Sequence, residues 1–293
     1  MKKFVFYIIK IIVVIVISAI LLDATYTLVY LNTNSRNKIV NIYNSKNKNF
    51  DLIFLGSSRA NNHFDAKVFN DSGIKTFNYG KSGASLNETA LMLKLMVERN
   101  YKIKNIILEV DLNINTDGFS EGTRALFMPY LQVSNTTKNH YKLIPEFNKL
   151  YYIPFYRYIN FDVKIGFREM FFSAIKKKSN DIDNFGFYPL NSEGKNMKYD
   201  LLKRFPKKSK SYEEIKKTCQ DNNINLIVIS TPMCKNTIGI DYFDKIKKVY
   251  PEIINYENVI NEDKYFSSCG HLNSKGAKIF TTFILKDLFN KLR

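Results

Sequence analysis

The apolar segment near the N-terminus constrains this 293-residue chain more than any other feature. From Phe4 to Leu22 the sequence is apolar except for Lys10 and Ser18. About 20 such residues are enough to cross a bilayer as a helix. A run without a polar face is also unsuited to the half-exposed helix of a water-soluble domain. We therefore expect residues 1–31 to form a transmembrane anchor.

The residues around the apolar run predict how the chain is oriented. Lys2 and Lys3 precede the run and favour a cytoplasmic N-terminus. A cleaved signal peptide is the alternative, but residues 16–27 contain no clean small-x-small cleavage site. We expect a single-pass protein of the cell membrane, with a polar juxtamembrane linker over residues 32–50 and an extracytoplasmic domain over residues 51–293. Such a location argues against nucleic acid as a partner.

The charge and the cysteine content indicate which partners, disulfides and metal sites to expect. The formal net charge is +17, which favours contact with anionic polymers or lipid headgroups, although a Lys- and Asn-rich composition typical of AT-rich genomes explains it equally well. Cys219, Cys234 and Cys269 lack metal-binding spacing, and we expect none of them to form a structural disulfide. An odd number of cysteines leaves at least one thiol unpaired. The sequence contains no metal cluster, phosphate-binding loop or dinucleotide fingerprint, so we expect no metal and no cofactor.

Beyond residue 50, short apolar runs alternate with helical patterns. This alternation predicts an α/β fold, in which a parallel sheet is covered by helices on both faces in three layers. The predicted strands are Asp51–Leu55, Thr76–Tyr79, Ile103–Leu112 and Asn225–Ser230, and the predicted helices are Leu86–Arg99, Ser211–Cys219 and Ser274–Leu292.

Residues 114–205 interrupt the alternation and are rich in Tyr and Phe. We interpret them as a mostly helical insertion, with one helix over Tyr158–Lys177. An insertion after a central strand lies near the carboxyl edge of the sheet, where α/β proteins bind ligands. It is therefore a candidate substrate lid, although its aromatic residues would equally serve as a small core of their own.

A serine pair and a distant histidine are the candidate reactive groups. Ser57 and Ser58 follow the first predicted strand, and many hydrolases place a nucleophilic serine at such a strand-to-helix turn. The base that a serine needs is adjacent in the fold rather than in sequence. His271 precedes the last helix and is the best candidate, because His63 lies on the helix that follows the serines and His140 lies in the insertion.

These residues resemble the short blocks of the SGNH/GDSL hydrolase superfamily. The resemblance covers roughly residues 51–113 and 223–292, and it is to the membrane-anchored, extracytoplasmic branch similar to D-alanyl-lipoteichoic acid and alginate O-acetylation proteins. Gly56-Ser57-Ser58 resembles the first block, which implies that Ser58 is the nucleophile and that its backbone N–H helps to bind an oxyanion.

The second and third blocks imply the rest of the oxyanion hole. Asn78-Tyr79-Gly80-Lys81-Ser82-Gly83 resembles the second block and implies that Gly83 donates its N–H. Asn113 lines up with the asparagine of the third block, whose side-chain amide completes the hole. Asp111 stands where that block has a glycine, and Ile114 stands where it has an acid.

The fourth block departs from the superfamily at one position. His271-Leu272-Asn273 fits, but Ser268 replaces the aspartate that normally precedes the histidine by three residues. That aspartate orients the imidazole and stabilises its charged form. Three interpretations remain open. Ser268 or a backbone carbonyl orients His271, Asp263 or Glu262 reaches it, or the site is catalytically weakened and used for binding.

The resemblance implies a three-layer, flavodoxin-like domain that acts as a serine esterase or O-acyltransferase. Its substrates would be acyl esters of a cell-envelope polysaccharide or of an anionic, teichoic-acid-like polymer, and a multipass membrane acyltransferase is a candidate partner. The alternative is an SGNH-fold binding or scaffold protein in an envelope-polymer modification system. Arg59 and His63 are weaker candidates for substrate contact, since packing or a salt bridge would explain Arg59 equally well.

Overall fold

The computed structural model describes residues 2–289, which divide into two compact units. Met1–Asn44 and Glu121–Lys178 form one unit, here called the anchor unit. Ser45–Ser120 and Ser179–Arg293 form the other, here called the α/β unit. The expected linker therefore belongs largely to the anchor unit, and the expected insertion contributes to both units.

The regular elements alternate along the α/β unit and are almost all helical in the anchor unit. The strands are β1 Asn49–Leu55, β2 Thr76–Asn78, β3 Lys102–Glu109, β4 Tyr199–Asp200, β5 Asn225–Ser230, β6 Thr237–Ile238, β7 Ile254–Asn255, β8 Phe266–Ser268 and β9 His271–Leu272. The α-helices are α1 Lys2–Leu31, α2 Lys38–Asn44, α3 Ser58–His63, α4 Ala66–Asp71, α5 Leu86–Glu98, α6 Glu121–Phe127, α7 Asn135–Tyr141, α8 Phe147–Tyr152, α9 Tyr156–Asn160, α10 Asp162–Ile165, α11 Phe167–Ala174, α12 Lys210–Asp221, α13 Tyr242–Val249 and α14 Ser274–Ile284. Short 3₁₀ turns occupy Met128–Tyr130, Asn184–Gly186 and Asp263–Tyr265.

A five-stranded sheet organises the α/β unit. Its order is β2-β1-β3-β5-β7, and all neighbouring strands are parallel. Helices cover both sides of the sheet, which confirms the predicted α/β class. On one side Leu52 and Phe54 of β1 are fully buried, and the Phe54 ring stacks on Phe64 with centroids 4.5 Å apart. Because both faces are covered, the strands read as near-continuous apolar runs.

The strand order fixes where a ligand can bind. β1 and β3 are neighbours at the centre of the sheet, but the chain leaves β1 towards β2 and leaves β3 towards β5 on the other side. Connections that diverge in this way leave a crevice at the carboxyl ends of the two strands. The segments after Leu55 and after Glu109 therefore border the expected binding position.

The predicted C-terminal helix, Ser274–Leu292, is shorter in the structure. Its α-helical part begins after Asn273, whose side chain accepts a hydrogen bond from Gly276 N–H, and ends at Ile284. A π-helical turn continues over Leu285–Phe289. The last residues of the prediction lie outside the described residues.

In the anchor unit, α1 is long and apolar enough to cross a membrane. A single helix of this kind at the N-terminus fits a single-pass anchor or a signal sequence. The segment after it was expected to be a polar linker, but residues 38–44 form helix α2, in which Ile39 and Ile42 are fully buried. Apolar residues at helical spacing within a lysine-rich stretch account for this difference.

The expected single helix over Tyr158–Lys177 is wrong. The structure has three short helices, α9 to α11, with Phe161 outside helical geometry between the first two. Gly166 is extended between the second and third (φ −76°, ψ −161°), and a Cβ there would lie 1.7 Å from Asp162 Oδ1. The chain therefore turns tightly at a glycine that helical periodicity alone does not reveal.

Candidate active site

The two serines lie on a tight turn from β1 into α3. Gly56 has a φ of +138°, and a Cβ at this position would lie 2.6 Å from Glu109 Oε2, so the turn requires glycine. Ser57 caps α3, because its hydroxyl accepts a hydrogen bond from Arg59 N–H at 3.2 Å. Ser58 is the first helical residue, and its half-buried side chain faces the cavity at the sheet edge. The Ser57 hydroxyl thus caps the helix, and the Ser58 hydroxyl remains available to the site.

The structure brings Ser58 and His271 together across 213 residues of sequence. Ser58 Oγ lies 2.8 Å from His271 Nε2, a normal hydrogen-bond distance. His271 is in the short strand β9, directly before the capped start of α14. A hydroxyl and an imidazole in this arrangement meet the geometric requirement for a nucleophile and its general base.

The other imidazole nitrogen contacts a serine rather than an acid. β8 and β9 are antiparallel, and Ser268 pairs with His271, which places Ser268 Oγ 3.2 Å from His271 Nδ1. Ser268 is exposed to solvent. Of the alternatives, Asp263 lies 3.8 Å from Lys235 Nζ and Glu262 lies 2.6 Å from Lys264 Nζ. Among the described residues, the side chain that hydrogen-bonds with His271 Nδ1 is therefore Ser268, whose oxygen accepts from Nδ1–H when Nε2 is the base.

A disulfide joins the histidine loop to the segment after β5, contrary to expectation. Cys234 and Cys269 are bonded, with Cα atoms 4.7 Å apart, and Cys234 N–H also donates to Cys269 O. The prediction that no structural disulfide forms was wrong, because residues 35 apart in sequence meet only through the sheet topology. Cys219 is the free, buried cysteine of the described residues, and burial raises the pKa of its thiol to about 12.

Arg59 has a different position from the one expected of a substrate contact. It is 2% exposed, and its Nε lies 2.9 Å from Asp111 Oδ2. Its remaining N–H groups face the Met233 sulfur and three backbone carbonyls, those of Gly270, Thr231 and Pro232. All five donors of the guanidinium are thus satisfied within the protein. Of the two explanations given for Arg59, the salt bridge is the one present, and the side chain joins the serine turn to the segments after β3 and β5 and to the histidine loop.

Burial and Arg59 also set the protonation of the candidate base. Burial of the imidazole, and secondly the positive charge of Arg59, lower the pKa of His271 to about 4. Asp111 opposes this shift only in part. At neutral pH His271 is therefore uncharged and can accept a proton.

His63 supports the site without lining it. Its side chain is fully buried, and its Nε2 accepts a hydrogen bond from Leu272 N–H at 3.1 Å. Burial, and then the charge of Arg59, lower the pKa of His63 well below its usual value. The ring is fully buried and is not exposed for the predicted contact with substrate. His63 instead holds the backbone immediately after His271.

The candidate oxyanion donors lie around the same cavity as the serine and the histidine. The cavity has a volume of about 510 Å³ and is lined by Ser58, His271, Gly83 and Asn113. Gly83 has a φ of +79°, which favours glycine. Asn113 Oδ1 accepts a hydrogen bond from Asp111 N–H at 3.1 Å, and its Nδ2 lies 3.3 Å from Glu109 O. The structure thus places all the predicted oxyanion-hole residues at one site, with the Asn113 amide oriented by the end of β3.

Both ends of the predicted insertion contribute to the cavity wall. Phe119 and Ser120 come from its first residues, and Tyr199 and Arg204 come from its last. Arg204 Nη1 donates to Leu112 O at 3.2 Å, and its Nη2 donates to the Tyr199 hydroxyl at 3.3 Å. The entrance is therefore aromatic and basic.

Glu109 is a residue of this site that the sequence argument missed. It ends β3, is fully buried, and its Oε2 accepts hydrogen bonds from Ser57 N–H and Ser57 Oγ, both at 2.8 Å. Burial, and then the neighbouring Asp111 carboxylate, raise the pKa of Glu109 well above its usual value. The charge of Arg59 in turn helps to lower the pKa of Asp111, so the pKa values of the two buried acids shift in opposite directions. Two acids at alternate positions directly after an apolar strand were the available signal.

Compared with known proteins, the chain matches no protein-family model, and no curated protein matches it significantly.

Proposed function

We propose that the protein is a membrane-anchored serine esterase or O-acyltransferase of the SGNH type. The observation that carries this proposal is the 2.8 Å contact between Ser58 Oγ and His271 Nε2 in a cavity at the carboxyl edge of the sheet. The sheet order also supports it. Counted along the chain, the five strands lie in the order 2-1-3-4-5, which is that of flavodoxin-like domains.

In the proposed reaction, Ser58 Oγ attacks the carbonyl carbon of an acyl ester while His271 Nε2 takes its proton. The negative charge that develops on the carbonyl oxygen is bound by the N–H groups of Ser58 and Gly83 and by the Asn113 amide. His271 then gives its proton to the departing alcohol, leaving an acyl-serine. Water or a sugar hydroxyl releases the acyl group by the same steps in reverse, which gives hydrolysis or transfer.

Ser268 makes this a dyad rather than a triad. A neutral hydroxyl can fix the ring orientation, but it does not stabilise the imidazolium as a carboxylate would. In serine proteases, loss of the acid costs about 10⁴-fold in turnover. We therefore expect slow hydrolysis of simple esters.

One feature supports an extracytoplasmic location, and a second supports retention of α1 as an anchor. Structural disulfides such as Cys234–Cys269 form and persist in oxidising compartments. The end of α1 is also part of a folded unit, because Asp23 Oδ1 lies 2.7 Å from Arg157 Nη2. Cleavage of α1 as a signal peptide would leave this fully buried arginine without its carboxylate, so retention as an anchor is favoured.

The location and the basic, aromatic entrance favour an acylated envelope polymer as the substrate. A glycan ester or an anionic, teichoic-acid-like polymer fits an opening bordered by Tyr199 and Arg204. A multipass membrane acyltransferase would be the partner if the acyl group is received from the membrane.

Turnover of para-nitrophenyl acetate by the purified full-length protein tests this proposal. We expect hydrolysis by the wild type, complete loss in Ser58→Ala, and retained though reduced turnover in Ser57→Ala, because the Ser57 hydroxyl caps α3 and binds Glu109 but does not contact His271. Loss in Ser57→Ala with full activity in Ser58→Ala would assign the wrong hydroxyl. An inactive wild type would contradict the proposal.

The exposed serine at position 268 favours a second candidate, a binding or scaffold protein that keeps the fold without the chemistry. The Ser268→Asp variant separates the two functions. Esterase activity that appears only in this variant would support the scaffold, whereas measurable wild-type turnover rules it out.

A further inference from the structure

If the apolar part of α1 spans a bilayer, the helices that pack on the end of α1 are held at a definite depth. Residues 4–22 of α1 rise about 28 Å as a helix, close to the ~30 Å hydrocarbon core of a bilayer. The helix continues to Leu31, so residues 23–31 extend through the adjoining headgroup layer. Whatever packs on this last part of α1 must lie at that level.

Helices α9 and α10 pack there through polar contacts. Besides the Asp23–Arg157 ion pair, Thr27 Oγ1 lies 2.7 Å from the Tyr158 hydroxyl. The Tyr30 hydroxyl donates to Ile165 O at 3.0 Å. These contacts fix α9 and α10 beside the end of the apolar span.

The outer surface of this unit is apolar where a water-soluble domain would be polar. Val163 is 93% exposed, Leu143 is 87% exposed and Phe167 is 66% exposed. In α11, Phe167 and Phe171 face outward while Ser173 is buried. This is the reverse of the pattern expected for a helix that packs on a core and faces water.

The exposed apolar residues also follow a regular spacing. Phe167 and Phe171 of α11 and Ile175 at its C-terminal cap recur every four residues and are all exposed, and the two phenylalanine rings stack with centroids 6.3 Å apart. Val163, on α10 before the turn at Gly166, is exposed as well. Exposed large apolar residues number nine in residues 121–178 and ten in the described part of the α/β unit, which is more than three times as long. The apolar surface is therefore concentrated next to the anchor helix.

Basic residues alternate with this apolar stripe. Residues 121–178 contain ten Lys and Arg but four Asp and Glu. Lys164, Arg168 and Lys176–Lys178 stand among the exposed apolar side chains and are themselves exposed. Apolar side chains flanked by lysine and arginine are typical of helices that lie in the interface of an anionic membrane.

From this combination we propose that helices α8 to α11 lie in the bilayer interface beside α1 and insert the stripe from Val163 to Ile175 into the lipid. The partner of this surface is the leaflet at the C-terminal end of the anchor helix. The protein thus contacts the membrane through helices α8 to α11, here called the collar, as well as through the single helix α1. This inference is independent of the chemistry at Ser58.

Single tryptophans test the collar, because the chain contains no Trp. The full-length protein is reconstituted into vesicles of phosphatidylglycerol and phosphatidylcholine, with bromine on the acyl chains close to the glycerol. Phe167→Trp reports on the collar, Val16→Trp on the anchor, and Phe205→Trp, an exposed position of the α/β unit, serves as the matched control. We expect bromolipid to quench tryptophan at positions 16 and 167 by about half or more and to leave position 205 unquenched.

Every other outcome overturns the proposal in a distinguishable way. Quenching at position 16 with none at position 167 would show an anchor without a collar. Blue-shifted but unquenched emission at position 167 would show that a second copy of the chain covers the stripe. No quenching at position 16 would show that neither the anchor helix nor the collar contacts lipid. The esterase proposal would still be tested separately, by turnover.

Discussion

Each of the two units buries an arginine against an aspartate, but the surroundings of the two pairs differ. In the α/β unit all five donors of Arg59 are satisfied, and Asp111 is fully buried. In the anchor unit Arg157 Nη2 binds Asp23, whereas Nε and Nη1 of Arg157 have no hydrogen-bond partner within the described part of the chain. A fully satisfied buried network specifies one arrangement, and a partly satisfied one does so less strictly.

This difference indicates two separate tasks. In the proposed reaction the α/β unit has to hold Ser58, His271 and the proposed oxyanion donors in one geometry. The anchor unit presents apolar and basic side chains whose exact arrangement matters less, which suits a lipid surface. Changes in one unit should therefore leave the property of the other unit intact.

The largest effect is expected from His271→Ala. Without the base, turnover of an acyl ester should fall by about 10³-fold or more, because the serine hydroxyl is a weak nucleophile at neutral pH. The share of protein that sediments with membranes should not change. His140→Ala, in α7 of the anchor unit, is the matched control and should keep wild-type turnover. Similar losses in both variants would contradict the separation of tasks.

The two buried ion pairs should differ in their contribution to stability. Arg59→Met leaves Asp111 buried without a counter-charge and should destabilise the protein by about 3–5 kcal/mol. Arg157→Met should cost less, about 1–2 kcal/mol, since Asp23 retains 13% exposure and can be hydrated. Thermal unfolding of the full-length protein in detergent, followed by circular dichroism, measures both. A larger loss in Arg157→Met would reverse the comparison.

The disulfide should stabilise only the α/β unit. It closes a loop of 35 residues, and Cys234→Ser should cost about 2–4 kcal/mol on the chain-entropy account. Cys219→Ser is the matched control and should cost about 1 kcal/mol, as a buried thiol without a bridge. Equal losses in denaturant unfolding would show that the bridge does not constrain the histidine loop.

The smallest effect concerns pH. Turnover requires neutral His271, whose pKa of about 4 lies below the usual value of about 6.5, so turnover should rise through pH 4 and be level by pH 7. The same depressed pKa stabilises the fold above pH 6.5, and this contribution is lost as the pH falls through 4. In Ser268→Asp a carboxylate would stabilise the imidazolium and move the rise in turnover to higher pH. A wild-type midpoint near 6.5 would show that the ring is neither desolvated nor affected by Arg59.

The sequence predicted the features that follow from local pattern. Apolar runs ending at glycine located β1 and β2, and Asn225–Ser230 is a strand with the predicted limits. Ser58 and His271 were found because strand ends and helix starts place side chains at the carboxyl edge of a parallel sheet. Their contact then follows from the topology.

The features that the sequence did not predict depend on closeness in space between distant residues. Glu109 was missed because its partner Ser57 lies 52 residues away. For Arg59 the sequence could not decide between a salt bridge and substrate contact, because its partner Asp111 is equally distant. The Cys234–Cys269 bridge has the same cause. In the anchor unit, the breaks at Phe161 and Gly166 depend on tight packing, which the helical periodicity of the sequence does not reveal.

Peptide mapping after reaction with a fluorophosphonate probe tests the central claim most directly. The full-length wild type should carry one adduct, on Ser58, and the rate of its formation should fall by about 10³-fold or more in His271→Ala. An adduct on Ser57 or elsewhere, or equal rates in the two proteins, would contradict the proposed pairing of Ser58 with His271.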